Sequence, residues 1–114
     1  MRRFVICKPG DVVVVPFPFV DRPASKRRPS VVLSQRAFNQ ANGHSICAMI
    51  TTAARTRWPS DVAISDLASA GLPRPCVVRW KLFTLPNHLI ERKAGSLGNA
   101  DRAAVASAVQ SVLS

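Results

Sequence analysis

The apolar residues of this chain fall in short β-branched runs, and proline or glycine closes off each one. Pro9-Gly10-Asp11 opens the run at 12–15, and Pro29 opens Val31-Val32-Leu33. In 45–52, Ile46, Ala48 and Ile50 alternate with Cys47, Met49 and Thr51. Valine and isoleucine fit a pleated, partly buried surface, while proline and glycine end regular structure. Such a pattern folds into short strands joined by tight turns. Further strands are expected at 61–64, at 76–85 and, as a short extended piece, around 89–92, with a break at 95–98. Pro16 and Pro18 alternate with Phe17 and Phe19. The backbone stays extended there but loses two ladder donors, so the first strand is expected to leave the sheet or run along an edge.

Two helical segments complete the pattern. Residues 36–43 read as a short helical turn closed by Asn42-Gly43. The last segment is an amphipathic helix with Asn99 as its expected N-cap and Asp101 in its first turn; Val105, Ala108, Val109, Val112 and Leu113 share one face. The expected fold is mainly β: a small bent barrel or half-barrel of five to six strands, a C-terminal helix and a short helical turn near 36–42. A chain of 114 residues with 47% apolar content fits one domain, with its core at about 9–113.

The charge balance restricts the partner. Sixteen Lys and Arg against six Asp and Glu leave a formal charge of +10, which points to a polyanion or an acidic protein. No apolar stretch approaches the roughly 20 residues of a spanning helix. Lys8, Pro9, Gly10 and Asp11 interrupt the N-terminal apolar segment, so no export signal is read and a cytoplasmic setting is expected. The three cysteines lack C-x-x-C spacing, which argues for buried, reduced thiols and against a zinc site.

Several cations stand where they could hold phosphate. Residues 21–28 carry Arg22, Lys26, Arg27 and Arg28, four of the sixteen basic residues. Arg28 precedes Pro29 and begins an apolar strand, which anchors a planar guanidinium fork on rigid structure. Thr51 ends the third expected strand beside a basic loop, where its hydroxyl can donate to a phosphate. Arg55, Arg57 and Trp58, with Arg79, Trp80 and Lys81, interleave cations and indoles in the manner of single-strand nucleic-acid surfaces. Phe17 and Phe19 offer rings at the entrance to the 20s loop. His44 and His88 read as exposed loop residues. The carboxylates Asp11, Asp21, Asp61, Asp66, Glu91 and Asp101 are scattered, which argues against a two-metal nuclease, and no cofactor is expected.

The ordered landmarks carry a resemblance. Gly10-Asp11-Val12-Val13-Val14-Val15-Pro16-Phe17, Arg28-Pro29-Ser30-Val31-Val32-Leu33-Ser34 and Ala48-Met49-Ile50-Thr51-Thr52 are followed by Gly71-Leu72-Pro73-Arg74-Pro75-Cys76-Val77-Val78 and Gly95-Ser96-Leu97. In this order the chain resembles the PemK/MazF-like toxins of bacterial type II toxin–antitoxin modules. The resemblance implies an SH3-like barrel, a homodimer, an acidic cognate antitoxin, and metal-independent cleavage of single-stranded RNA, with Arg28 and Thr51 as the catalytic pair. Cys76 stands where the family commonly has serine, and Arg79-Trp80-Lys81 lacks an acidic residue often found there. The implied chemistry is attack by the RNA's own 2′-hydroxyl, leaving 2′,3′-cyclic phosphate and 5′-hydroxyl ends. Asp21, Asp61 or an ordered water would accept the proton, and DNA would be bound but not cut. The alternative is a non-catalytic nucleic-acid-binding module whose basic groove takes an acidic antitoxin segment.

Overall fold

The computed structural model describes residues 6–17, 26–52 and 57–114. Six strands form one antiparallel sheet: β1 (Asp11–Phe17), β2 (Lys26–Val32), β3 (His44–Thr52), β4 (Val62–Ala63), β5 (Cys76–Pro86) and β6 (Arg92–Ser96). Their order across the sheet is β4-β5-β3-β2-β1-β6. Helices α1 (Arg36–Asn42), α2 (Leu67–Ala70) and α3 (Asn99–Leu113) fill the connections and the C-terminal end, and a 3-10 turn spans Asn87–Leu89. The result is the expected mainly β half-barrel with a C-terminal helix.

The alternation along the central strands explains why both faces are covered. Val12, Val31 and Ala48 point into one cluster with Ile50, Leu72, Val78, Trp80, Leu97 and Val105. Their neighbours Val13, Val32 and Cys47 point into a second with Cys7, Val15, Leu85 and Ile90. Each fully buried valine stabilises the fold by about 1.5–3 kcal/mol relative to exposure, so the register of β1 to β3 is strongly fixed.

Proline does not expel β1 from the sheet. Pro16 is paired with Arg27 inside the strand, so of the two expected outcomes β1 does not leave the sheet but, past Val14, runs along an edge. Glu91 N–H donates to Val14 O, so even-numbered residues of β1 turn their backbone groups toward β6. The β1–β6 ladder ends at Val14, so the donor that Pro16 lacks faces a flank with no rung to fill. Pro29 sits just before the first β2–β3 pair, Ser30 with Met49, for the same reason.

Other boundaries moved. The strand expected at 61–64 shrinks to Val62–Ala63, and the piece expected around 89–92 is instead the 3-10 turn followed by β6, which runs through Gly95. Gly95 lies there because α2 packs against β6 with almost no gap: a Cβ at Gly95 would fall 2.3 Å from Ser69 O, and one at Gly71 (φ +71°) 2.1 Å from Ala94 O. The N-cap of α3 is Gly98, not Asn99. The apolar stripe of α3 is buried only in its first half; Val105 is buried while Val112 and Leu113 are exposed. No helix among the described residues is long and apolar enough to cross a membrane.

Candidate functional site

The β2–β3 ladder brings the two central candidates together. Its outermost pair is Ser30 with Met49, and two residues further along each strand, on the same face, stand Arg28 and Thr51. Both line one open cleft of about 230 Å3 with Phe17, Met49, Ile50, Arg79 and Lys81. The Arg28 guanidinium lies 5.7 Å from the centre of the Phe17 ring. That contact fixes its direction without consuming its donors. Among the described residues, neither the Arg28 guanidinium nor the Thr51 hydroxyl has a hydrogen-bond or ion-pair partner. Rigid strands therefore present a fork of N–H groups and a hydroxyl to whatever enters.

The opposite wall is built differently. Between Ala48 and Met49 the β3–β5 register jumps from Leu82 to Arg79, so β5 bulges over Trp80 and Lys81. Arg79 and Trp80 are both buried: Trp80 follows Cys76 and Val78 into the core cluster, and Arg79, on the other side of the strand, is covered from the turn before β4. Trp80 belongs to the core, with its indole N–H donating to Ser60 O at 2.8 Å, so of the two indoles only Trp58 stays at the surface. Arg79 makes a two-pronged pair with Asp61, Nε to Oδ1 at 3.1 Å and Nη2 to Oδ2 at 2.8 Å. Trp58 packs over this wall, 5.4 Å from Arg79 and 5.8 Å from the Lys81 ammonium.

That pair decides what Asp61 does. The donors of Arg79 hold its carboxyl below the usual carboxylate range against the opposing effect of burial, helped by the Trp58 N–H and the nearby Arg57 charge. Asp61 does not line the cleft, and both its oxygens are taken by Arg79. Its evident task is to orient Arg79, which does line it.

The remaining candidates divide. Lys26 is exposed opposite Phe17 at the start of β2, and Arg57 and Trp58 are exposed beside Asp61. Arg27 alternates to the other side of β2 and pairs with Glu91, away from the cleft. Asp21, Phe19, Arg22 and Arg55 lie outside the described residues. His44 and His88 are exposed, as expected. Cys7, Cys47 and Cys76 are all buried and free; burial pushes the Cys7 thiol up to about 11 and Cys47 up to about 12, far from reactivity. No group of three or more potential metal ligands exists among the described residues. Sequence inspection missed the walls Met49 and Ile50 and the pairing of Asp61 with Arg79. The β4–β5 register, Val62 with Val78 and Ala63 with Val77, sets Asp61 opposite Arg79, and nothing in the residue spacing announces it.

Comparisons with known proteins agree with the fold. The family model described as PemK-like, MazF-like toxin of type II toxin-antitoxin system matches residues 8–113. No curated protein sequence matches the chain. Among solved structures, a MazE–MazF complex from Deinococcus radiodurans is similar with a TM-score of 0.75 at 20% identity, covering 96% of this chain and 97% of that one. An endoribonuclease in complex with its cognate antitoxin from a mycobacterial species gives 0.72 at 17% identity, covering 95% and 93%. The Mycobacterium tuberculosis toxin MazF-mt6 gives 0.70 at 24% identity, covering 89% and 93%. At these identities the likeness speaks for the fold.

Proposed function

The chain belongs to the PemK-like, MazF-like toxins of type II toxin-antitoxin systems, and from that membership we propose that it is a metal-independent endoribonuclease acting on single-stranded RNA. The observation that carries the proposal is the shared cleft in which Arg28 and Thr51 stand with no side-chain hydrogen-bond or ion-pair partner among the described residues. In this reading the scissile phosphate lies against Arg28, whose fork bridges its non-bridging oxygens. Thr51 donates a further hydrogen bond. The 2′-hydroxyl of the preceding ribose attacks phosphorus, the bond to the 5′-oxygen breaks, and the products carry a 2′,3′-cyclic phosphate and a 5′-hydroxyl.

The protein's contribution is to stabilise charge on the phosphorane. Arg28 donates toward the leaving oxygen as negative charge builds there. Because Asp61 is committed to Arg79, the 2′-hydroxyl proton passes to Asp21 or to solvent, and the pH–rate profile of Asp21→Asn separates the two. Phe17 and Trp58 offer faces on which flanking bases stack, while Arg79 and Lys81 follow the backbone. The decisive experiment is cleavage of a defined RNA in the presence of chelator by the wild type, Arg28→Ala and Thr51→Val, with both ends of the products identified. Cyclic phosphate ends that disappear with Arg28→Ala support the proposal; undiminished cleavage by that variant overturns it.

An acidic antitoxin segment is the second partner in this reading, since the same cations attract carboxylates. Competition between an acidic peptide and RNA is the expected result. A homodimer fits the exposed apolar end of α3 at Val112 and Leu113, and sedimentation at micromolar concentration checks it.

A further inference from the structure

A second cleft, also of about 230 Å3, opens on the other side of the β1–β2 pair and is lined by Val14, Arg27, Arg28, Pro29, Gly71, Leu72, Pro73, Arg92 and Ala94. Pro29 and Arg92 are the two cross-strand neighbours of Val14, so the three form one row across β2, β1 and β6. Val14 is the half-buried member of an otherwise buried run from Asp11 to Pro16. The outward wall is the α2–β5 connector, which the glycine contacts of Gly71 and Gly95 draw tightly against β6. The floor and wall are apolar; Arg27 and Arg92 stand on this face, while Arg28 borders the cleft from β2 with its guanidinium turned to Phe17 on the other side. Glu91 pairs with Arg27 and offsets one of those charges. Arg92, like Arg28, has no hydrogen-bond or ion-pair partner among the described residues.

An apolar floor with the unpaired Arg92 at its rim suits a nucleotide, whose base seeks a dry, flat surface and whose phosphate seeks a fork of donors. Arg28 lines both this cleft and the one that holds Thr51. We infer that the second cleft is a subsite for a nucleotide flanking the cleaved bond of the same RNA strand. The base rests on Val14, Pro29, Leu72 and Pro73, and Arg92 holds its phosphate. The inference rests on the endoribonuclease reading above for its ligand. It adds that affinity for RNA depends on strand length beyond the cleaved step, and that Arg92 binds without taking part in the chemistry.

Two RNAs test it: a short oligonucleotide spanning only the cleaved step, and one extended by several nucleotides on each side. Arg92→Glu is expected to raise KM for the extended RNA about tenfold, to leave its kcat unchanged, and to leave the short RNA unaffected. Glu91→Gln, which removes the negative charge beside Arg27, is expected to act in the opposite direction on the extended RNA alone. Binding of an uncleavable, fully 2′-O-methylated extended strand, followed by fluorescence anisotropy, is expected to lose about one unit of salt slope with Arg92→Glu. An equal effect on short and extended RNAs, or no effect on either, overturns the subsite. The binding arm reads without cleavage, so loss of the endoribonuclease reading through Arg28→Ala leaves the subsite independently tested.

Discussion

Two regions of this molecule carry charge in opposite ways. At the start of α3, Asp101 is buried and its oxygens are fully engaged: they accept from Ser65 N–H at 3.0 Å, Ser65 Oγ at 2.7 Å and Asp66 N–H at 2.9 Å. At the start of β2, Arg28 is exposed, steered by one ring contact, and its donors are unused among the described residues. A charge that the protein satisfies itself holds parts of the fold together, here the β4–α2 turn and α3. A charge held in place but left unsatisfied is available to a ligand. Asp61 and Arg79 lie between these extremes, since the carboxylate is used up internally so that the guanidinium stays on the cleft wall.

The contrast makes Arg28→Ala the largest expected effect. Losing a preorganised donor of this kind lowers kcat by roughly 100- to 1000-fold, about 2.7–4 kcal/mol, while the unfolding free energy from urea titration stays within about 0.5 kcal/mol of wild type because the side chain is exposed. Asp101→Ala is expected to do the reverse. It strands the N–H groups of Ser65 and Asp66 and costs about 2–3 kcal/mol of stability by chemical denaturation, while the folded fraction cleaves at the wild-type rate. If both variants lost stability and activity together, the division between the two regions would be wrong.

Asp61→Asn sharpens the intermediate case. With its anchor weakened, Arg79 is expected to lose direction, raising KM for RNA several-fold with a smaller change in kcat, as measured in steady-state kinetics. The smallest effect is on pH dependence. Burial pushes the Asp101 carboxyl up, but the N–H groups of Asp66 and Ser65 and the Ser65 hydroxyl outweigh it and hold the group below its ordinary 3.8. A carboxyl depressed in the folded state contributes stability that is present above the unfolded value and lost as pH falls through the folded one. Stability is therefore expected to decline as pH falls below about 3.9, and Asp101→Asn is expected to flatten that decline in acid titrations of the unfolding free energy.

The strands carrying the cleft were legible because their valines and isoleucines sit between prolines and glycines, and Arg28 and Thr51 stood out at their ends. Three features were not. β6, Arg92–Ser96, is polar and contains Gly95; β1 and the close approach of α2 hold it in place, and its composition gives no strand signal. α2, four residues capped by Asp66 accepting from Ser69 N–H, is too short to show a helical period. The bulge in β5 is the third: Trp80 follows Cys76 and Val78 into one core cluster by plain alternation, but the two extra residues between Arg79 and Leu82 leave no mark in the residue pattern. Each miss has the same origin: the backbone follows a tertiary contact that leaves no periodic trace in the residues.

The chemistry assigned to the cleft turns on the substrate's own hydroxyl. The most direct measurement uses an RNA carrying a single 2′-deoxy sugar on the 5′ side of the cleaved bond, assayed for binding and cleavage in the presence of chelator. The expected result is unchanged affinity with cleavage abolished at that step, while the all-ribose strand is cut at full rate. Cleavage of the deoxy-substituted strand, or a chelator that stops cleavage of the all-ribose strand, would contradict it.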